Sequence, residues 1–186
     1  MKYDVELLIL GLGNVLYGDD GLGIAAVHLV EQRYSCPNSV RLADGGTLGL
    51  SLLPLLEQAR KAIIVDAIRC AGVPAGEIVR LKGEEVAPAV RSRLSPHQIG
   101  VADLLDGAEL IGRVPEELLL LGLVPDALDF GIGFSAAVNR NLTSLAHAVV
   151  AEAARMGHGF VALPPSDRAL QASADLGLIT SPIRNR

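Results

Sequence analysis

The chain has 186 residues, of which 50% are hydrophobic, and its formal net charge is −5 at pH 7. This length suffices for one compact domain with its own core. The net negative charge and the small number of aromatic residues (three Phe, three Tyr, no Trp) argue against nucleic-acid binding, which needs clustered basic residues and aromatic side chains on which bases stack. No segment approaches the ~20 apolar residues of a membrane span, and Cys36 and Cys70 form no C-x-x-C pair, so we expect a cytoplasmic protein without disulfides or structural zinc.

The first half of the chain alternates between apolar runs and helical periodicity. An apolar run predicts a buried strand at residues 5–10, closed by a glycine loop at residues 11–14. Helical spacing of apolar residues predicts a helix at about residues 22–34, with Asp20 or Gly21 in its cap region. A second strand is expected at residues 40–43, a second helix at residues 48–58, and a third strand at residues 62–66, which is apolar until Asp66.

The second half continues this alternation. Residues 77–81 alternate polar and apolar side chains, which favours a strand at the edge of the sheet or one that runs antiparallel to the others. A turn at residues 95–97, a helix at about 101–111, a buried strand at 118–124 and a helix at about 135–156 follow. These elements predict a single α/β domain over residues 1–158, built as a three-layer α/β/α sandwich with a mostly parallel sheet, and a tail over residues 159–186.

The glycine loop after the first strand does not fit a nucleotide site. The third glycine of a G-x-G-x-x-G dinucleotide fingerprint would fall at Leu16. Asp19 and Asp20 also precede the first helix, at the position where a pyrophosphate would bind. Because a pyrophosphate needs positive potential there, the two carboxylates would repel it.

Three side chains with acceptor atoms lie at comparable topological positions: Asp20 after the first strand, Asp66 at the end of the third, and His97 in a proline-fixed turn. The carboxyl ends of parallel strands border one crevice, so these residues are expected to converge. Each also has a purely structural interpretation. Asp66 can form an Asx hydrogen bond, Asp20 can cap a helix, and His97 can be a polar surface residue.

Two consecutive acids are harder to explain by capping alone, because only one can cap and the other adds repulsion unless a cation is near. Two carboxylates and an imidazole suit a divalent first-row ion such as nickel or zinc and leave coordination positions open.

Four segments together resemble the hydrogenase maturation endopeptidases. They are LGLGNVLYGDDGLG at residues 10–23, DGGT at 44–47, IVDA at 64–67 and SPHQIG at 95–100. Each segment alone is weakly specific, but four in this order and spacing, within about residues 5–157, are typical of the family.

The resemblance implies a mixed sheet of five strands whose fourth strand is antiparallel. It also implies removal of a C-terminal extension from the large-subunit precursor of a nickel-iron hydrogenase, after nickel insertion. The family's nickel-contacting positions fall on Asp20, Asp66 and His97, and Asp44, Gly45, Gly46 and Thr47 are expected near the substrate backbone. The precursor would supply the nickel, and the enzyme, which we expect to be a monomer, would need no resident cofactor.

The chemistry of cleavage stays open at the level of sequence. A metal-polarised carbonyl or water would serve, and so would a carboxylate acting as general base in an aspartyl-type peptidase. Two other functions remain as alternatives: a conventional metallopeptidase or amidase with resident zinc, and a non-catalytic nickel-dependent chaperone that binds the precursor.

Overall fold

The structure is a computed structural model that describes residues 3–91 and 99–164. Its main sheet has five strands: β1 (Val5–Leu12), β3 (Val40–Gly46), β4 (Ala59–Ala67), β5 (Ile78–Lys82) and β6 (Glu117–Leu123). Their order is β3-β1-β4-β6-β5. All neighbours are parallel except β5, which runs antiparallel to β6. The predicted mixed sheet with an antiparallel fourth strand is therefore confirmed.

Helices cover both faces of this sheet. On one face, α1 (Leu22–Arg33) and α5 (Ala136–Arg155) bury a core of aliphatic side chains from β1, β4 and β6. On the other face, α4 (Ile99–Leu110) and the shorter α2 (Leu53–Glu57) and α3 (Val86–Arg91) surround a second aliphatic core. Alternate residues of the buried strands supply the two cores, because successive side chains point to opposite faces. The α/β/α sandwich predicted from the sequence is confirmed.

The helix predicted at residues 48–58 is present as two consecutive helical pieces rather than as one α-helix. The segment forms a 3₁₀ turn, Gly49–Leu52, followed by the five-residue α2. Gly49 has a φ of +51°, outside the α-helical region. Pro54, near the start of α2, has no N–H with which to continue an α-helical ladder from the preceding turn.

A second, two-stranded sheet joins β2 (Tyr34–Ser35) to β7 (Val161–Ala162) in antiparallel pairing. Residues 161 and 162 of the predicted tail thus pair with the short strand that directly follows α1. Residues 165–186 of that tail lie outside the described residues, and the domain boundary at residue 158 stays a prediction. Among the described helices, none is long and apolar enough to cross a membrane.

Glycines allow α1 to lie directly against the sheet. A Cβ atom built on Gly23 would stand 2.2 Å from the carbonyl oxygen of Val65 and 2.4 Å from that of Leu12. A Cβ atom on Gly11 would meet the carbonyl oxygen of Gly23 at 2.6 Å. Because no side chain fits in these gaps, the first turn of α1 is held against the ends of β1 and β4, next to the residues expected to form the site.

Candidate active site

The carboxyl ends of the parallel strands β1, β3, β4 and β6, with the loops that follow them, form one rim of the sheet, here called the carboxyl edge. Gly11 of β1 pairs with both Asp44 of β3 and Val65 of β4. Asp44 and Asp66 therefore lie at the same level of the sheet, on either side of β1. Asp66 thus lies at the carboxyl edge, as expected for the end of a parallel strand, and Asp44 of the Asp-Gly-Gly-Thr segment lies there too.

Asp20 lies in a 3₁₀ turn, Gly18–Gly21, between β1 and α1. Its side chain is fully buried, and its Oδ2 accepts a hydrogen bond from the N–H of Asn14 at 2.7 Å. The N-cap position of α1 belongs to Gly21, and no side chain caps the helix. The capping interpretation of Asp20 is therefore wrong, since its carboxylate turns back toward the glycine loop.

The turn that carries Asp20 is seated on the loop after β1 and contacts β4. Gly13 has a φ of +128°, and a Cβ atom there would meet the carbonyl oxygen of Asp20 at 1.8 Å. Only glycine permits both this backbone conformation and this close approach. Gly13 thus allows the turn that carries Asp20 to pack closely on the loop after β1.

Asp66 is the penultimate residue of β4 and is 5% exposed. Its Oδ1 accepts a hydrogen bond from the N–H of Ala67 at 2.8 Å, so the carboxylate is oriented by its own backbone. The neighbouring residue of β6 is Gly122, where a Cβ atom would stand 1.8 Å from the carbonyl oxygen of Asp66. The strand end is consequently packed tightly, with little room for Asp66 to change position.

Asp19 has a role that the sequence did not reveal. Its buried carboxylate accepts hydrogen bonds from the N–H groups of Ser135 (2.7 Å), Asp126 (2.8 Å) and Ala127 (3.1 Å). Burial by itself would raise the pKa of Asp19, but these N–H donors stabilise the carboxylate and hold its pKa below the usual value. Asp19, the first acid of the pair, therefore fastens the loop at residues 126–135. The consecutive acids were the only signal for it in the sequence.

The Asp-Gly-Gly-Thr segment ends β3 at the carboxyl edge. Oδ1 of Asp44 accepts the N–H of Gly46 at 2.9 Å, and its Oδ2 lies 3.7 Å from Nε2 of His28 on α1. Gly46 has a φ of +48°, Gly45 is buried and Thr47 is exposed. The pairing of His28 with Asp44 was not predicted, because α1 and β3 meet only in the folded chain.

His97, the third predicted ligand, lies outside the described residues. Within the residues that are described, no three His, Cys, Asp or Glu side chains are grouped closely enough to hold a metal ion. The structure thus brings Asp20 and Asp66 to one edge, and the convergence of His97 with them stays a prediction.

Comparison with known proteins identifies the family. Residues 24–152 match the family model described as hydrogenase maturation protease. This range includes Asp44 and Asp66, whereas the turn with Asp20 precedes it. The hydrogenase 2 maturation protease of Escherichia coli K12 is 37% identical over 134 residues, which cover 72% of this chain and 82% of that protein. The hydrogenase expression/formation protein HoxM of Azotobacter vinelandii is 41% identical over 68% of this chain and 61% of its own length.

The fold agrees with this assignment. The hydrogenase maturating endopeptidase HybD of E. coli superimposes with a TM-score of 0.81 at 34% identity, covering 88% of this chain and 99% of that chain. The [NiFe] hydrogenase maturation protease HybD of Thermococcus kodakarensis gives a TM-score of 0.61 at 25% identity, covering 78% of this chain and 97% of that chain. The chain therefore belongs to the hydrogenase maturation proteases, a family of endopeptidases.

Proposed function

We propose that this endopeptidase removes the C-terminal extension of a nickel-loaded large-subunit precursor of a nickel-iron hydrogenase. Asp20, Asp66 and His97 would contact the nickel ion that the precursor carries. The observation that supports this best is the placement of two buried carboxylates at one edge of the sheet, Asp20 in the turn that follows β1 and Asp66 at the end of the neighbouring parallel strand β4. Carboxylates in such apolar surroundings are costly unless they are compensated, and they are therefore enriched at functional sites.

The donor chemistry fits a nickel ion delivered by a substrate. Two carboxylates supply negative charge that favours a divalent cation, and an imidazole is a common ligand for first-row metals. A set of three protein ligands leaves coordination positions for groups of the precursor. The hydrogen bonds from Asn14 to Asp20 and from Ala67 to Asp66 orient the two carboxylates before the substrate arrives, which limits the entropy lost on binding.

Peptide hydrolysis at this edge can follow either of two routes. The bound ion can polarise the scissile carbonyl or a water molecule. Alternatively, Asp20 or Asp66 can accept a proton from the attacking water, as in an aspartyl-type peptidase. In both routes the carboxylates must stay in place, and the close packing of Gly13 against the backbone of Asp20 and of Gly122 against the backbone of Asp66 serves this requirement.

We further propose that the reaction takes place in the cytoplasm and that the enzyme acts as a monomer. Cys36 and Cys70 are both free thiols, which is compatible with a reducing compartment.

Incubation of the purified protein with nickel-loaded and nickel-free precursor, followed by mass measurement of the released peptide, tests the function. Cleavage is expected only with the loaded precursor. Asp66→Asn and Asp20→Asn are each expected to lower the rate at least about 100-fold. Asp103→Asn, which removes one exposed acid from α4, is the matched control and is expected to leave the rate unchanged.

Two results would contradict the proposal. One is full processing of the loaded precursor by Asp66→Asn, and the other is equal cleavage of loaded and nickel-free precursor. Metal analysis of the purified enzyme adds an independent check, since stoichiometric zinc would favour a conventional metallopeptidase over a substrate-borne ion.

A further inference from the structure

Two loops at the carboxyl edge expose large apolar side chains side by side. The first loop carries Val15, Leu16 and Tyr17, which are between 39% and 53% exposed. The second carries Phe130 and Ile132, which are 77% and 91% exposed. These five residues are here called the apolar rim. Clustered exposed apolar residues on a folded protein mark sites of protein contact.

Backbone hydrogen bonds join the two loops. The N–H of Gly18 donates to the carbonyl of Gly131 at 2.9 Å, and the N–H of Gly131 donates to the carbonyl of Leu16 at 2.8 Å. The rings of Tyr17 and Phe130 also meet edge to face, with centroids 5.8 Å apart. The rim is therefore one continuous surface, although its two halves are more than 100 residues apart in the sequence.

The buried carboxylate of Asp19 holds the second loop in place through the N–H groups of Asp126, Ala127 and Ser135. A loop fixed at both of its ends presents Phe130 and Ile132 with little conformational freedom left to lose on binding. Such preorganisation serves no purpose for side chains that only face water. It is what a docking surface requires.

We propose that the apolar rim binds apolar side chains of the hydrogenase precursor beside the segment to be cut, an inference that rests on the function proposed above. The rim is continuous with the candidate active site. Tyr17 is three residues from Asp20, so the two Cα atoms are at most about 11 Å apart. A polypeptide whose scissile bond lies at Asp20 and Asp66 therefore has the rim within a few residues' reach of that bond.

The area of the rim also suits a protein partner. Aromatic side chains bury about 150–250 Å² each when they are covered, so five large apolar residues supply several hundred Å². A standard interface buries about 800 Å² on each partner. The rim can thus supply much of the buried area of a protein interface, which the three proposed nickel-binding side chains are too few to supply.

Photochemical cross-linking identifies the occupant directly. Benzoylphenylalanine in place of Phe130 is expected to form a covalent adduct with the nickel-loaded precursor on irradiation. The same probe in place of Leu110, which is 88% exposed, is the control. Leu110 ends α4 near the opposite edge of the sheet, where the N–H of Glu116 donates to the carbonyl of Arg60 close to the start of β4. Adducts from position 130 to a second copy of this chain or to residues 165–186, with none to the precursor, would overturn the inference.

Kinetics give a second readout. Ile132→Asp is expected to raise the KM for the loaded precursor about tenfold or more, with kcat changed by less than about twofold. Leu110→Asp, which introduces the same charge at an equally exposed position, is expected to change neither constant. An unaltered KM for Ile132→Asp in an assay where the wild type cleaves the precursor would refute the docking role alone. Failure of the wild type to cleave would refute the proposed function, and this inference with it.

Discussion

Replacing Gly23 with alanine is expected to lower the free energy of unfolding by about 2–3 kcal/mol, although alanine is the better helix former. The added Cβ would lie 2.2 Å and 2.4 Å from two backbone carbonyl oxygens, those of Val65 and Leu12. Neither oxygen can move without disturbing a central strand. Relief of the clash therefore requires α1 to shift away from the sheet by about 1 Å, which forfeits a quarter to a half of the dispersion energy across the gap.

The magnitude follows from what that shift uncovers. The side of α1 that packs on the sheet and on α5 carries five buried apolar side chains, namely Leu22, Ile24, Ala26, Val27 and Val30. Partial loss of their packing costs about 3–4 kcal/mol, since full burial of one large aliphatic side chain contributes about 1.5–3 kcal/mol. The higher helix propensity of alanine returns about 1 kcal/mol.

Urea unfolding followed by far-UV circular dichroism measures this change, and the melting temperature is expected to fall by about 5–10 °C. Gly107→Ala is the matched control in α4. Its Cβ would meet only the ends of flexible leucine side chains, beginning with Cδ1 of Leu50 at 2.9 Å, so its stability is expected to be equal to the wild type or up to about 1 kcal/mol higher. Equal stability of the two variants would refute the argument that backbone contact, rather than helix propensity, decides the residue at position 23.

Three further predictions concern buried polar contacts. Asp19→Asn is expected to lower the free energy of unfolding by about 2–3 kcal/mol in urea titrations, because one amide oxygen cannot accept all the N–H groups that the carboxylate accepts. A loss below about 0.5 kcal/mol would contradict the role of Asp19 in holding the loop at residues 126–135. Ser135→Ala is expected to lower the free energy of unfolding by about 1 kcal/mol in the same assay, since Oγ of Ser135 caps α5 by accepting a hydrogen bond from the N–H of Val138. An unchanged stability would show that this cap contributes nothing. Glu152→Gln is expected to destabilise the protein by about 1–3 kcal/mol at pH 7, because the guanidinium of Arg80 donates to both oxygens of buried Glu152, at 2.7 and 2.8 Å. That hydrogen-bonded pairing lowers the pKa of Glu152, so its contribution is complete above the unfolded-state pKa of about 4.3 and is lost as the pH falls through the lower folded-state pKa. Thermal unfolding of wild type and Glu152→Gln from pH 7 to pH 3 should show the gap between them narrowing in acid, and a constant gap would contradict the assignment.

The order and type of the main elements could be predicted from the sequence because they depend on local patterns. The apolar runs that became β1, β4 and β6, and the helical periodicity of α1 and α5, are properties of neighbouring residues. The polar alternation at residues 77–81 likewise indicated the antiparallel β5. Placement of Asp20 and Asp66 at one edge followed from the general rule for parallel strands, whereas His97 lies outside the described residues and its convergence with them stays a prediction.

Only the tertiary structure showed which hydrogen bonds Asp19 and Asp20 each accept. Asp19 and Asp20 are adjacent in the sequence and equally acidic, yet one carboxylate fastens a loop more than 100 residues away and the other faces the glycine loop. The joining of Leu16 to Gly131 and of Arg80 to Glu152 depends in the same way on long-range packing. Periodicity reports which face of an element is buried, but it carries no information on which distant residue that face meets. The sequence by itself therefore determined the fold and the family. The different contacts of Asp19 and Asp20, and the joining of two distant loops into the apolar rim, became apparent only in the tertiary structure.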